Sequence, residues 1–265
     1  MRRALALLIL LAAAALGGCC ESGRHVYVID APDPDLAAGA LAGSSRDAFA
    51  VQPVRRPKSG DRLVALGLLL DPDTAAGRGA RLGLEEAQRA GQLLHVDISA
   101  APTSEYALIG LVAPKEEPKA LFLAVGPLRD SEPLRPHVYS VAASPAFRRQ
   151  ALDRHQDRKD LKAAEWSPEL QKFGADALNL RFQRRFNQPM DEAAWRGWIG
   201  VKLAAELALR FPGAAGPDKI GSLSIDGHKG MPLRFDPKDH HMVQPVYLVD
   251  AQGKVVDEVA PEWKE

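Results

Sequence analysis

Leu63 to Leu70 is an unbroken apolar run, followed at once by Asp71-Pro72-Asp73-Thr74. A strand with one wet face alternates polar and apolar positions. A run with no polar position must be covered on both faces, as strands of parallel sheets are. Parallel neighbours require crossovers, and Asp-Pro-Asp-Thr supplies the turn and N-cap chemistry that opens a helix. A helix is expected over Gly79 to Ala90, with Ala80, Leu82, Leu84 and Ala87 on its apolar side and Gly91 as its stop. Leu93 to Ile98 reads as the returning strand. This strand-helix-strand unit, repeated in weaker form downstream, points to an α/β layer fold with flanking helices.

Tyr106 to Val112 fits either a helix or an irregular strand, while Ala120 to Val125 and Val138 to Val141 are short strands bounded by Gly and Pro. The pattern changes after Ser144. Pro168 to Phe186 and Asp191 to Phe211 have helical spacing, with Pro189 and Pro212-Gly213 as breaks. Leu170, Phe173, Ala177, Leu180 and Phe186 are expected on the apolar side of the first, where Arg181, Arg184 and Arg185 would meet solvent or a partner. In the second, Ala194, Trp198, Val201, Ala205 and Ala208 form the stripe. Pro232 to Phe235, Val246 to Val249 and Lys254 to Val256 read as short strands, the last pair turned by Gln252-Gly253.

The beginning of the chain has a different role. Arg2 and Arg3 precede an apolar stretch from Ala4 to Leu16, and Gly17-Gly18 leads into Cys19, the layout of a secretory signal over residues 1–18. The stretch is shorter than the roughly 20 residues that span a bilayer. Leu16-Gly17-Gly18-Cys19 resembles a bacterial lipobox, which implies lipidation at Cys19 and a periplasmic protein held to the inner or outer membrane by lipid. Cys20 is the only other cysteine and is expected to be a passenger, so cysteine zinc clusters and a structural disulfide in the mature chain are excluded. Residues 19–60, rich in Ala, Gly, Pro and Ser, read as a tether in which Val26 to Ile29 could add an edge strand. The folded domain is expected over 61–265.

Lysines and arginines number 34 and so do aspartates and glutamates, so the chain has no basic field to attract nucleic acid. Motif searches exclude more than they assign. G-x-S-x-G, G-x-x-x-x-G-K, H-E-x-x-H and G-x-G-x-x-G are all absent. Gly77, Gly79 and Gly83 miss the dinucleotide spacing and read as close helix packing. Asp236, Asp239, His240 and His241 have the chemistry of a metal site, but adjacent histidines point apart on extended chain, which favours a structural turn. Trp195 and Trp198 read as core. No catalytic set or cofactor site is expected. Arg129 to Ser131 follows a strand, where open α/β sheets bind ligands.

Several passages together resemble periplasmic substrate-binding proteins of the branched-chain amino-acid type, the periplasmic-binding-protein-like I fold. They are Gly79 to Glu86, Trp195 to Ala208, Gly230 to Phe235 and Asp239 to Tyr247. Gly126 to Asp130, His137 to Pro145 and Trp166 to Met190 resemble the branch associated with pyrroloquinoline-quinone-dependent alcohol oxidation. The resemblance implies a parallel-sheet lobe and a non-enzymatic component of an ABC transport or sensing system. It further implies a small polar solute, such as a carboxylate or amino acid, and an ABC permease or periplasmic dehydrogenase as partner. Arg129, Ser131, Ser140 and Ser144 are the expected ligand contacts. Between Leu152 and Trp166, where that family places a second lobe, there is only a short polar stretch, so a single lobe is expected. An interaction module beside a quinoprotein dehydrogenase is the alternative reading.

Overall fold

The structure, a computed structural model, describes residues 61–262 apart from 103, 105, 113, 115–116, 127–134 and 213–215. The expected signal, Cys19, the expected tether, Arg129 and Ser131 lie outside the described residues. Among the described residues, no helix is long and apolar enough to cross a membrane.

The apolar run forms β1 (Arg62–Leu69), leading into α1 (Ala75–Leu93) and β2 (Val96–Ala101). Thr74 caps α1 by accepting the Gly77 N–H at 3.1 Å. The helix extends beyond its expected span at both ends, from the Thr74 cap to Leu93, so the returning strand begins at Val96 and not at Leu93. Then β3 (Ala107–Gly110), β4 (Leu121–Ala124) and β5 (Val138–Ser140) complete a five-stranded parallel sheet in the order β2-β1-β3-β4-β5. Tyr106 to Val112 therefore contains a strand, which resolves the helix-or-strand ambiguity.

The link from β2 to β3 is short: β2 ends at Ala101 and β3 begins at Ala107. A parallel crossover normally needs a dozen or more residues. Stagger makes the short one sufficient: Gly67 of β1 is level both with Ala101 at the end of β2 and with Leu108 near the start of β3. Ser104 of this link approaches β1 at Gly67, where a Cβ would lie 3.4 Å from Ser104 Cβ. Ser104 ties it down, donating its hydroxyl to Ala65 O at 2.6 Å and accepting from the Tyr106 and Ala107 amides.

After the sheet come α2 (Pro145–Asp153), β6 (Lys162–Ala164), α3 (Ala175–Phe186) and α4 (Glu192–Arg210). The α4 helix lies against α1, β1 and β3, and the main core forms between sheet and helices. Two backbone approaches set the helix pair. A Cβ on Gly79 would lie 1.8 Å from Ala194 O, and one on Gly197 would lie 1.9 Å from Ala76 O. Gly83 is similarly close to Trp198 O, at 2.8 Å. Gly79 and Gly83 thus serve helix packing, as expected, whereas Gly77 is close to the preceding turn, where its Cβ would lie 1.9 Å from Asp71 O. Trp195 and Trp198 are fully buried, and the expected α4 stripe is in the core.

The expectation for α3 fails in phase. Its buried residues are Ala175, Leu178 and Phe182, whereas Phe173, Ala177 and Leu180 are exposed. The reason is local: Phe173 and Gly174 adopt left-handed φ of 58° and 80°, so the helix starts at Ala175 and not at Pro168. Arg181 and Arg185 are paired with Glu86 and Glu85 of α1.

The remainder forms two small antiparallel sheets. One pairs β6 with β10 (Val246–Val249) and β11 (Val255–Val259). The other joins β7 (Ile225–Asp226), β8 (Pro232–Phe235) and β9 (Met242–Val243). Ala143, Ala151, Leu161, Ala163, Val246, Leu248 and Val259 form a second core beside α2. Arg154 to Leu161 links α2 to β6, and there Arg158 pairs with Asp160 at 2.8 Å. Residues around His240 and His241 continue the parallel sheet past β5: Ser140 N–H donates to His240 O at 3.0 Å, and Met242 N–H to Ala142 O.

Candidate functional site

Because all five strands are parallel, their carboxyl ends lie along one edge, and the chain reverses strand order across β1. This is the switch-point geometry at which open α/β sheets bind ligands. Two helices begin from that edge. Thr74 caps α1 directly after β1, and Ser144 caps α2 directly after β5, accepting the Phe147 N–H at 3.3 Å. Each N-terminus presents a partial positive charge. Between them the edge is apolar: Leu69, Leu111 and Val112 are exposed. Gly126 lies two residues past β4, in such close contact that a Cβ would lie 2.1 Å from Leu111 O.

Beneath the α2 end of this edge is a buried knot of charge. Glu165 is completely buried. Its Oε1 accepts from Ala143 N–H at 3.2 Å and Arg148 at 2.7 Å, and its Oε2 accepts from Arg196 Nε at 2.7 Å and from a second guanidinium nitrogen of Arg196. Glu192 Oε1 in turn accepts Glu165 N–H at 2.8 Å and Arg196 at 2.9 Å. Arg148 also donates to Ala163 O. One carboxylate therefore joins the end of β5, helix α2, the residue after β6 and helix α4. Such a set is stable only when every donor and acceptor is met, since an unpaired buried charge is costly.

Protonation follows this geometry. Burial works to raise the Glu165 carboxyl, but hydrogen bonding with Glu192 and the charges of Arg196, Arg148 and Lys229 outweigh it and hold Glu165 well below the usual carboxylate range. Burial pushes Glu192 up to about 7, with Glu165 adding to the rise.

Ser140 and Ser144 are both at the carboxyl end of β5, as expected from the sequence. Ser140 is buried and its hydroxyl accepts Ala142 N–H at 3.2 Å, while Ser144 is the α2 cap. Asp236 and Asp239 build a turn: Asp236 Oδ1 accepts Lys238 N–H at 2.7 Å and Asp239 Oδ1 accepts His241 N–H at 3.0 Å. His240 stacks on Tyr139 with ring centroids 4.3 Å apart. Among the described residues there is no group of three or more His, Cys, Asp or Glu that could hold a metal ion.

Sequence reasoning missed the knot. One signal was present: Arg196 interrupts a helix that is apolar nearly all round, and such a charge must find a buried partner. Glu192, four residues earlier, is a local partner, but the buried Glu165 lies 31 positions away and leaves no local pattern.

No protein-family model matches the chain, and no curated protein sequence matches it. Solved structures do. An ABC transporter substrate-binding protein from Sphaerobacter thermophilus superposes with a TM-score of 0.53 at 11% identity, over 76% of this chain and 98% of that one. The branched-chain amino acid transporter substrate-binding protein LivJ from Streptococcus pneumoniae, in complex with isoleucine, gives 0.53 at 12% identity, over 76% of this chain and 100% of that one. A solute-binding protein of an ABC transporter from R. palustris, in complex with benzoate, gives 0.51 at 12% identity, over 77% and 98%. At these identities the likeness is one of fold. The chain has the α/β fold of periplasmic binding proteins of type I, built on a parallel sheet flanked by helices.

Proposed function

We propose that the chain is a non-enzymatic solute-binding component of an ABC transport or sensing system, held in the periplasm by lipid on Cys19 and extended from the membrane by residues 19–60. The observation that carries the reading is the carboxyl edge of the sheet, where two helix N-termini flank exposed Leu69, Leu111 and Val112 on a substrate-binding-protein fold. Positive helix ends suit a carboxylate, and an apolar floor suits a hydrocarbon body. Isoleucine and benzoate, bound by two of the similar structures, both have that composition.

The solute is a small carboxylate or amino acid. Direct polar contacts are assigned to Arg129 and Ser131 on the connection that follows Gly126, with Arg129 giving a bidentate contact. Ser140 and Ser144 hold the β5 end of the site. The narrower reading links the solute to alcohol oxidation by quinoprotein dehydrogenases, whose products include carboxylates, and reduces the chain to a single lobe.

The test is a thermal-shift screen of the full chain against amino acids, aliphatic and aromatic carboxylates, and alcohols. A ligand that binds only the native state raises the melting temperature with its concentration. A dose-dependent rise with a carboxylate, confirmed by calorimetry and reduced by Arg129→Ala, is expected. A folded protein unmoved by the whole panel would reject solute binding.

A further inference from the structure

Helix α3 buries one face and leaves a second apolar line outside. Ala175, Leu178 and Phe182 enter the core. On the opposite side Ala177, Leu180 and Arg184 follow one another at i, i+3 and i+7, and all three are exposed. Phe173, just before the helix, is 57% exposed although its backbone is fixed. Its φ is left-handed at 58°, and its carbonyl accepts His228 Nδ1–H at 3.1 Å. Its ring lies so near Gly230 that a Cβ there would come within 2.5 Å of it. An apolar ring already fixed at the surface loses little entropy on docking.

The charge around this line is mostly of one sign. From Lys172 to Asn187 the cations Lys172, Arg181, Arg184 and Arg185 stand against a single acid, Asp176. Glu86 and Glu85 of α1 meet Arg181 and Arg185 at 2.9 and 3.0 Å, and Arg81 adds a further cation 3.8 Å from Glu85. Lys172 and Arg184 are exposed, with no ion-pair partner among the described residues. The outer surface of α3 is therefore apolar along its crest and basic around it. Arginine and lysine stems can lie along apolar surface while their heads reach for an anion.

We propose that the outer face of α3 docks on an anionic lipid surface, with the helix in the plane of the headgroups. Phe173 and Leu180 enter the apolar boundary, and Lys172, Arg181, Arg184 and Arg185 meet phosphates. Interfacial helices combine these features, an apolar face and basic residues beside it. The inference rests on the lipid anchor proposed at Cys19, which brings the domain to a membrane. A flexible chain as long as residues 19–60 has an end-to-end distance of about 35 Å. Held that close, the domain meets lipid at high effective concentration, and a weak face suffices. Because α3 packs on α1, outside the helices that cover the sheet, the contact leaves out the carboxyl edge and its solute site.

The test is flotation with vesicles of phosphatidylglycerol and phosphatidylcholine. It uses residues 19–265, which keep every described residue, with Cys19→Ser so that no acyl chain contributes. Binding should rise with the phosphatidylglycerol fraction and fall with added salt. Lys172→Glu together with Arg184→Glu should lower the partition coefficient about tenfold or more. Leu180→Glu should also lower it while leaving the melting temperature at the parent value, because the position is exposed. Absence of flotation with anionic vesicles would overturn the proposal and leave an acidic protein as the occupant of the face. Flotation unchanged by the α3 substitutions would overturn it too. The anchor is read separately, from membrane fractionation of the unsubstituted chain against Cys19→Ser, and its failure would leave the flotation result standing.

Discussion

Two faces of helix α4 are held by opposite means. One meets α1 mainly through backbone approaches at Gly79 and Gly197, beside a hydrogen bond that Trp198 Nε1 donates to Glu86 Oε2 at 2.8 Å. The other sends Arg196, next in sequence to Gly197, into a buried set of carboxylates and arginines. The first contact depends on the absence of atoms and the second on the presence of every partner. They should therefore fail differently.

The largest effect is expected at Glu165. Replacing it with Ala leaves the buried Arg196 and the half-buried Arg148 to share Glu192 alone, and urea unfolding should show a loss of about 3–5 kcal/mol. A loss below about 1 kcal/mol would mean that the knot is solvated and the contrast is false. Gly79→Ala should cost about 1–3 kcal/mol through overpacking against Ala194 O, despite the better helix propensity of Ala. If that variant were as stable as the parent, the helices would not be held at this distance.

Acid should separate the two faces further. Glu165 is held well below the usual carboxylate range in the folded protein, so its contribution is present above the ordinary glutamate range and fades as pH falls below it. Gly79→Ala should keep the parent's acid profile while Glu165→Gln flattens it, as read from melting temperatures between pH 5 and 2.5. A smaller effect, about 1 kcal/mol, is expected for Ser144→Ala, which removes the α2 cap.

The apolar half of this comparison was legible in the sequence. Leu63 to Leu70 announced a strand covered on both faces. The glycines of α1 missed any nucleotide-binding spacing, leaving helix packing, and Trp195 and Trp198 belonged to the core. The charged half was not legible, because Arg148, Glu165 and the Glu192–Arg196 pair come from separate stretches, and an i,i+4 pair alone reads as an ordinary helix ion pair. The phase of α3 was lost for another reason. Left-handed backbone at Phe173 is unusual for a bulky residue, and no propensity marks it in advance. Ser140 and Ser144 could be assigned to the carboxyl edge from strand order, but their hydrogen bonds to Ala142 and Phe147 required the fold.

The most direct test of the account is to map solute binding by backbone NMR, titrating the ¹⁵N-labelled full chain with the best carboxylate from the thermal screen. The account predicts saturable shifts at Leu69, Gly110 to Val112, Val125, Gly126 and the first turn of α2, with amides at the amino ends of the strands unmoved. Shifts confined to the opposite edge, or to the surface of β10 and β11, would contradict it.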